Sequence, residues 1–93
     1  MNYIINDNIQ IDWFADGDAV VYDTKKEKIH ILTCSAATAL KIITDNNSDI
    51  CSKYINSISS CYEEISVEEL KKDFENIIKA FIEKNIIFED TTG

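Results

Sequence analysis

The sequence predicts an α+β domain in which a three-stranded antiparallel sheet is followed by three helices, βββααα. Two observations carry this. In the first third of the chain apolar and polar residues alternate between turn signals, as a sheet with one wet face requires. After Thr33 the apolar spacing changes to i, i+3, i+4 and, with polar breaks, stays helical to Lys84. A chain of 93 residues can bury one core but not two, so residues 1–93 are read as one domain, with loose ends expected at 1–8 and 89–93.

The first strand is "IQIDWF", where Ile9, Ile11 and Trp13 alternate with polar partners. "DGD" turns the chain into "AVVYD", and the charged loop "TKKE" leads into "KIHIL". The first helix follows almost at once: Ala36, Ala39, Leu40 and Ile43 share a face, Thr33 or Ser35 can cap it, and "DNN" stops it. A second helix from Ser48 is expected to place Ile50, Tyr54, Ile55, Ile58, Cys61 and Tyr62 on one broad apolar side. The third has the clearest start, a capping box of Ser66 and Glu69. Its apolar residues Val67, Leu70, Phe74, Ile77, Ile78, Phe81 and Ile82 cover an arc of about 140°, wide enough to leave part for a ligand. "IIFED" is β-prone and is expected to fold back over the core.

Composition narrows the functional classes. Apolar residues at 45% and charged residues at 28% are those of a folded globular chain. No apolar run approaches the roughly 20 residues needed to span a bilayer, and the N-terminus lacks a basic signal region, so a cytoplasmic protein is expected. Nine lysines and no arginine stand against 17 acids, a net charge of -8 that repels phosphate backbones. The three cysteines have no metal-knuckle or disulfide spacing. Cys51 and Cys61, ten helical residues and so about 15 Å apart, are too distant for a disulfide and are read as core residues.

Little chemistry is signalled. His30 and Cys34 could form a thiol–imidazole pair, but no third group orients them, and a half-exposed strand histidine beside a first-turn cysteine is the plainer reading. One histidine is too few for the common metal sites, and no EF-hand or glycine-rich phosphate loop is present. Glu63, Glu64, Glu68 and Glu69 read as a solvated helix start favoured by the helix dipole rather than as a docking patch. Of Trp13 and Phe14, one is expected in the core. An enzyme is therefore the least favoured class, and no cofactor or metal is expected.

Two binding readings remain. A hairpin plus three helices suits a winged helix-turn-helix, whose third helix would enter a DNA major groove. That helix, however, carries Glu68, Glu69, Asp73, Glu75 and Glu83 outward against only Lys72 and Lys79. The other reading uses the sheet edge: an unpaired strand beside an apolar helix face can accept an extended peptide.

The stretch "DGDAVVYDTKKEKIHILTCSAATALKII", then an amphipathic helix and "LKKDFENIIKAFIEKNII", resembles PqqD-like proteins, the RiPP recognition elements that bind leader peptides. The resemblance runs from about Trp13 to Phe88 and rests on element order and pattern. It departs at three places: the family's glycine before the last strand is Glu27, its Asn-Pro before the first helix is Thr33-Cys34, and its helix tryptophan is Leu40. Losing the glycine disfavours a positive φ in that turn. The resemblance implies a winged-helix-like domain that captures the leader of a ribosomally made precursor peptide and presents it to a separate enzyme, such as a radical SAM maturase or a leader peptidase. Neither nucleic acid nor membrane is an implied partner, and a monomer or weak dimer is expected. By position, Lys28, Ile29, His30, Ile31 and Leu32 would supply the backbone edge, and Leu70, Phe74, Ile77, Ile78 and Phe81 the apolar wall. Lys71 and Lys79 could meet leader carboxylates. Core packing is the competing role for about half of the wall, because a helix buries its inner stripe.

Overall fold

The computed structural model describes residues 2–45, 49–59 and 65–90. In chain order these form β1 (Asn2–Ile5), β2 (Ile9–Trp13), β3 (Ala19–Asp23), β4 (Lys28–Leu32), α1 (Cys34–Asp45), α2 (Ile50–Ser59), α3 (Val67–Glu83) and β5 (Ile87–Asp90). The three strands and three helices expected from periodicity are present as β2 to β4 and α1 to α3. The chain ends add two more strands. Residues 2–5, which the sequence left outside the fold, pair antiparallel with β5, Ile5 against Ile87 and Asn2 against Asp90.

The main sheet is antiparallel in the order β2-β3-β4. Ala19, Val21 and Leu32 point into the core, where they meet Ala39, Leu40 and Ile43 of α1, Tyr54 and Ile58 of α2, and the inner stripe of α3. Tyr54 and Phe74 pack as a tilted aromatic pair with ring centroids 5.2 Å apart, an arrangement in which ring edges and faces attract. Neither Trp13 nor Phe14 joins this core; they remain 40% and 51% exposed, Trp13 lying under the Lys41 ammonium at 5.0 Å. The expectation that one of them is buried fails because the chain turns outward at Phe14, whose N–H donates to the Asp18 carbonyl across the turn.

Helix α3 begins where the capping pattern puts it, with the Ser66 hydroxyl accepting from the Glu69 N–H at 3.2 Å. Its end is equally defined. Asn85 takes a left-handed φ of 60°, its N–H donates to the Ile82 carbonyl, and the Ile86 N–H donates to the Phe81 carbonyl. This paired closure satisfies carbonyls the last turn would leave bare and turns the buried Ile86 and Ile87 back under the helix. The Asn6 side chain then donates to the Asn85 carbonyl, and the Asn6 N–H to that of Ile86, holding β1 beside β5. Cys61, Tyr62, Glu63 and Glu64 lie outside the described residues, as does the middle of the expected stop after Asp45.

The β3–β4 turn is built on a buried carboxylate. Asp23 is fully buried, and its Oδ1 accepts from the Asn8 side chain at 2.6 Å and from the Lys25 and Lys26 N–H groups at 3.0 Å each. The turn then closes through Glu27 at φ 54°, the left-handed region that glycine enters freely and a glutamate does not. The positive φ is thus kept where the resemblance expects glycine. Glu27→Gly should relieve the strain, less the extra freedom glycine brings to the unfolded chain, for a net gain of about 0.5–1 kcal/mol. In thermal melts this should raise Tm by about 2–6 °C; an unchanged or lower Tm would mean the turn is not strained.

Candidate functional site

β4 lies at one edge of the main sheet, and the ladder fixes which of its backbone groups are free. In an antiparallel pair, residues that exchange hydrogen bonds alternate with residues that do not. Thr24 donates to the Asn8 carbonyl and Phe14 to the Asp18 carbonyl, both at 2.9 Å, at the two ends of the β2–β3 pairing. The bonded pairs between them are therefore Gln10 with Tyr22 and Asp12 with Val20. Ala19, Val21 and Asp23 must then turn their backbone toward β4, to Leu32, His30 and Lys28. What remains is Ile29 and Ile31. Their N–H and C=O groups point away from the sheet, along the open edge.

Side chains divide by the same alternation. Lys28, His30 and Leu32 project on the core side, grading from exposed through half-buried to buried. Ile29 and Ile31 project on the outer face and are 64% and 75% exposed, far more than a β-branched apolar residue needs to be. Behind them in register stand half-buried Tyr22 and Val20. The outer face of the edge is thus a small apolar strip, a feature missed when the strand was read only as a backbone template. The signal was present in "KIHIL" and "AVVYD": isoleucines at 29 and 31, valine at 20 and tyrosine at 22 share a parity opposite to that of the core residues Val21 and Leu32.

His30 lies on the core face of β4, in register with Val21. Burial pushes its imidazole below the ordinary histidine value, and the charges of Lys84, Lys28 and Lys26 push it further, against an opposing pull from Asp23. Lys84, the residue that caps α3, was not among the residues singled out from sequence. Asp23 is held below the usual carboxylate range, first by the Lys26 N–H and then by the Asn8 amide, the Lys25 N–H and the Lys26 charge, all against the cost of burial.

The proposed helix wall is placed differently. Leu70, Phe74, Ile78 and Phe81 are the inner stripe of α3 and lie in the core, 1%, 6%, 5% and 2% exposed. Ile77 is half-buried against that core, and Lys71 and Lys79 are exposed. As side chains, then, the first four hold the helix down, Phe74 also lining a cavity with Tyr3, Ile50 and Cys51; core packing is a role of four of the five. The middle of the apolar arc counted from sequence packs into the core with α2 and the Ile86–Ile87 return, while Val67 and Ile82 at its margins stay exposed. The outward face of α3 is acidic as read, with Glu68, Glu69, Asp73, Glu75 and Glu83 all exposed.

Other chemistry finds no assembly. Among the described residues no group of three His, Cys, Asp or Glu side chains is placed to hold a metal ion. Cys34 is an exposed free thiol at the first residue of α1 and Cys51 a half-buried one in α2. No helix among the described residues is long and apolar enough to cross a membrane.

Fold and edge together define a class: a small winged-helix-like α+β domain whose last sheet strand is unpaired on one side. No family model matches the sequence, and no curated protein matches it. Two solved structures share its fold. One, a lasso peptide synthetase B1 complexed with the leader peptide, superposes with a TM-score of 0.80 over 96% of this chain and 100% of its own, at 16% identity. The other, TbiB1 in complex with the TbiA(beta) leader peptide, gives a TM-score of 0.75 over 92% of this chain and 98% of its own, at 12% identity. At such identities the likeness is one of fold, and it extends over nearly the whole of all three chains.

The two titrating groups have separable signatures. His30 is depressed below 6.5, so the unfolded chain binds its proton first and stability falls as pH drops below that value. Asp23 is depressed below 3.8, so its contribution is complete above that value and is lost as pH falls beneath it. Urea midpoints measured from pH 8 to 3 should decline in two steps. His30→Gln should flatten the upper step and leave the lower; Asp23→Asn should remove the lower step and deepen the upper one, because the carboxylate's pull on His30 is lost.

Proposed function

We propose that this protein binds the leader segment of a ribosomally synthesised precursor peptide by adding it as a strand to β4 and presents it to a separate modifying enzyme. The observation that carries this reading is the open edge at Ile29 and Ile31, in a fold shared with two structures that hold leader peptides. An edge of this kind gives main-chain affinity to any extended peptide and leaves discrimination to side chains. The peptide runs antiparallel to β4, entering beside Leu32 and leaving beside Lys28, past the Asp23 turn.

Magnitudes bound what the edge can do. Two residues offering an N–H and a C=O each make about four hydrogen bonds, worth roughly 0.5–1.5 kcal/mol apiece after water is displaced. A micromolar complex needs about 8 kcal/mol, so side-chain contacts must supply a substantial share. The domain accelerates no chemistry itself. By holding the leader while the enzyme works on the attached core peptide, it raises the local concentration of substrate at that distant site. A radical SAM maturase or a leader peptidase would suit such a carrier. A short precursor reading frame beside a maturase gene would supply the ligand for testing.

The winged-helix alternative, a DNA-binding regulator, is opposed by the acidic outer face of α3 and the charge of -8. In a gel retardation assay at physiological salt, no shift of random or operator-like duplexes is expected; tight sequence-specific retardation would replace the peptide reading.

Proline separates the two sides of β4. Ile29→Pro and Ile31→Pro remove an outward N–H that the fold does not use, and an edge position of this kind tolerates proline. Both variants should keep their circular dichroism and lose at least tenfold in leader affinity by fluorescence anisotropy. His30→Pro removes the N–H directed at β3 and should melt well below the parent. Normal leader binding by folded Ile29→Pro and Ile31→Pro proteins would rule out addition at this edge.

A further inference from the structure

Strand addition at β4 leaves open which peptides are accepted, and the two faces of the edge differ in chemistry. Residues of an added strand that exchange hydrogen bonds with Ile29 and Ile31 lie directly opposite them and share their face. Those two peptide side chains therefore stand over the exposed isoleucines, with Val20 and Tyr22 behind. The peptide residue between them is opposite His30 and points to the other face. There it meets Lys28, on the same side of β4 as His30, beside the cavity that Asp23, Lys25 and Lys26 line together with Asn85, the residue that follows Lys84 at the end of α3.

Resting on the strand-addition reading, we infer that the peptide recognised has an alternating triplet: an apolar residue, an acidic residue and an apolar residue, the outer two packed on Ile31 and Ile29 and the carboxylate facing His30, Lys28 and Lys84. The apolar half follows from exposure. Ile29 and Ile31 are among the most exposed large apolar side chains of the described residues, and a β-branched or aromatic neighbour directly across a strand pair removes that surface from water. The acidic half follows from charge. In a protein of net charge -8 with nine lysines, Lys25 and Lys26 line one cavity with Asn85, the neighbour of Lys84, and Lys28 begins the strand that follows. Burial first, and then the charges of Lys84, Lys28 and Lys26, disfavour the protonated form of His30. A carboxylate placed opposite His30 relieves that crowding of positive charge, whereas a lysine there adds to it. Glu27 and Asp23 are the acids nearest in sequence; Asp23 is turned inward and held by its own turn, and Glu27 is exposed beyond the strand.

The test uses a randomised twelve-residue peptide display library selected against the intact protein, followed by synthetic peptides from the enriched pool titrated by anisotropy. Enriched sequences should share the apolar–acidic–apolar triplet, and replacing its acid by lysine should weaken binding about tenfold. Lys84→Glu, an exposed change outside the core, should reverse that preference so that the lysine peptide becomes the better ligand. Enriched peptides that bind the parent but not the Ile31→Pro variant, yet show no charge preference and no reversal, would overturn the triplet while leaving strand addition standing. Peptides that bind Ile31→Pro as well as the parent, or a library that never enriches, would overturn both.

Discussion

The buried carboxylate of Asp23 is the constraint on which the functional geometry depends. It joins three backbone or side-chain donors from two segments, the Asn8 turn before β2 and the Lys25–Lys26 turn before β4. By doing so it sets the register of both strand pairs at one end of the sheet. Register matters here more than stability. A slip of one residue in β4 would swap its two faces, place Ile29 and Ile31 in the core and turn the backbone of Lys28, His30 and Leu32 outward. A carboxylate in that position is costly to bury, and its Oδ2 has no hydrogen-bond partner among the described residues. The fold retains a locally unfavourable group because three directed bonds from one oxygen specify a single alignment.

An open edge with two exposed isoleucines is also a hazard, since any second edge can pair with it. Several features limit this. β4 is only five residues long, it starts at a lysine, and the turn before it is crowded with charge. The net charge of -8 makes copies of the protein repel one another while leaving the cationic corner near His30 available to an acidic strand. The same charge distribution thus discourages self-pairing. Helix α3 contributes through its cap, where Lys84 and the left-handed Asn85 bring a cation and a chain reversal next to the Lys25–Lys26 turn.

Much of this was legible from the chain alone. Alternation in "AVVYD" and "KIHIL", the Ser66–Glu69 start and the switch of period after Thr33 are local signals, and each marked its element to within a residue or two. The edge itself was legible because β4 is the last strand before the helices, so nothing following it closely in sequence could cover it. What escaped was non-local. β1 reads as an unremarkable polar-apolar tail until β5 is beside it, and no pattern within either strand reveals the other. The burial of Leu70, Phe74, Ile78 and Phe81 was not legible for a related reason: a helix's apolar arc shows how much surface it hides, not which neighbour hides it. Backbone parity in β4 likewise needed a long-range fact, the bonds between Asn8 and Thr24 and between Phe14 and Asp18.

The pairing of β1 with β5 bears on how the chain comes off the ribosome. Ile5 meets Ile87, so β1 has no partner until β5 has been synthesised. Contacts this distant in sequence form late, because a long loop must close before they return anything. During synthesis Tyr3 and Ile5 therefore lack the neighbour that covers them, while β4 is already exposed along its edge. Until β5 has emerged, β1 and β4 both present unpaired backbone; once β5 is in place β1 gains its neighbour, and β4 keeps its open edge.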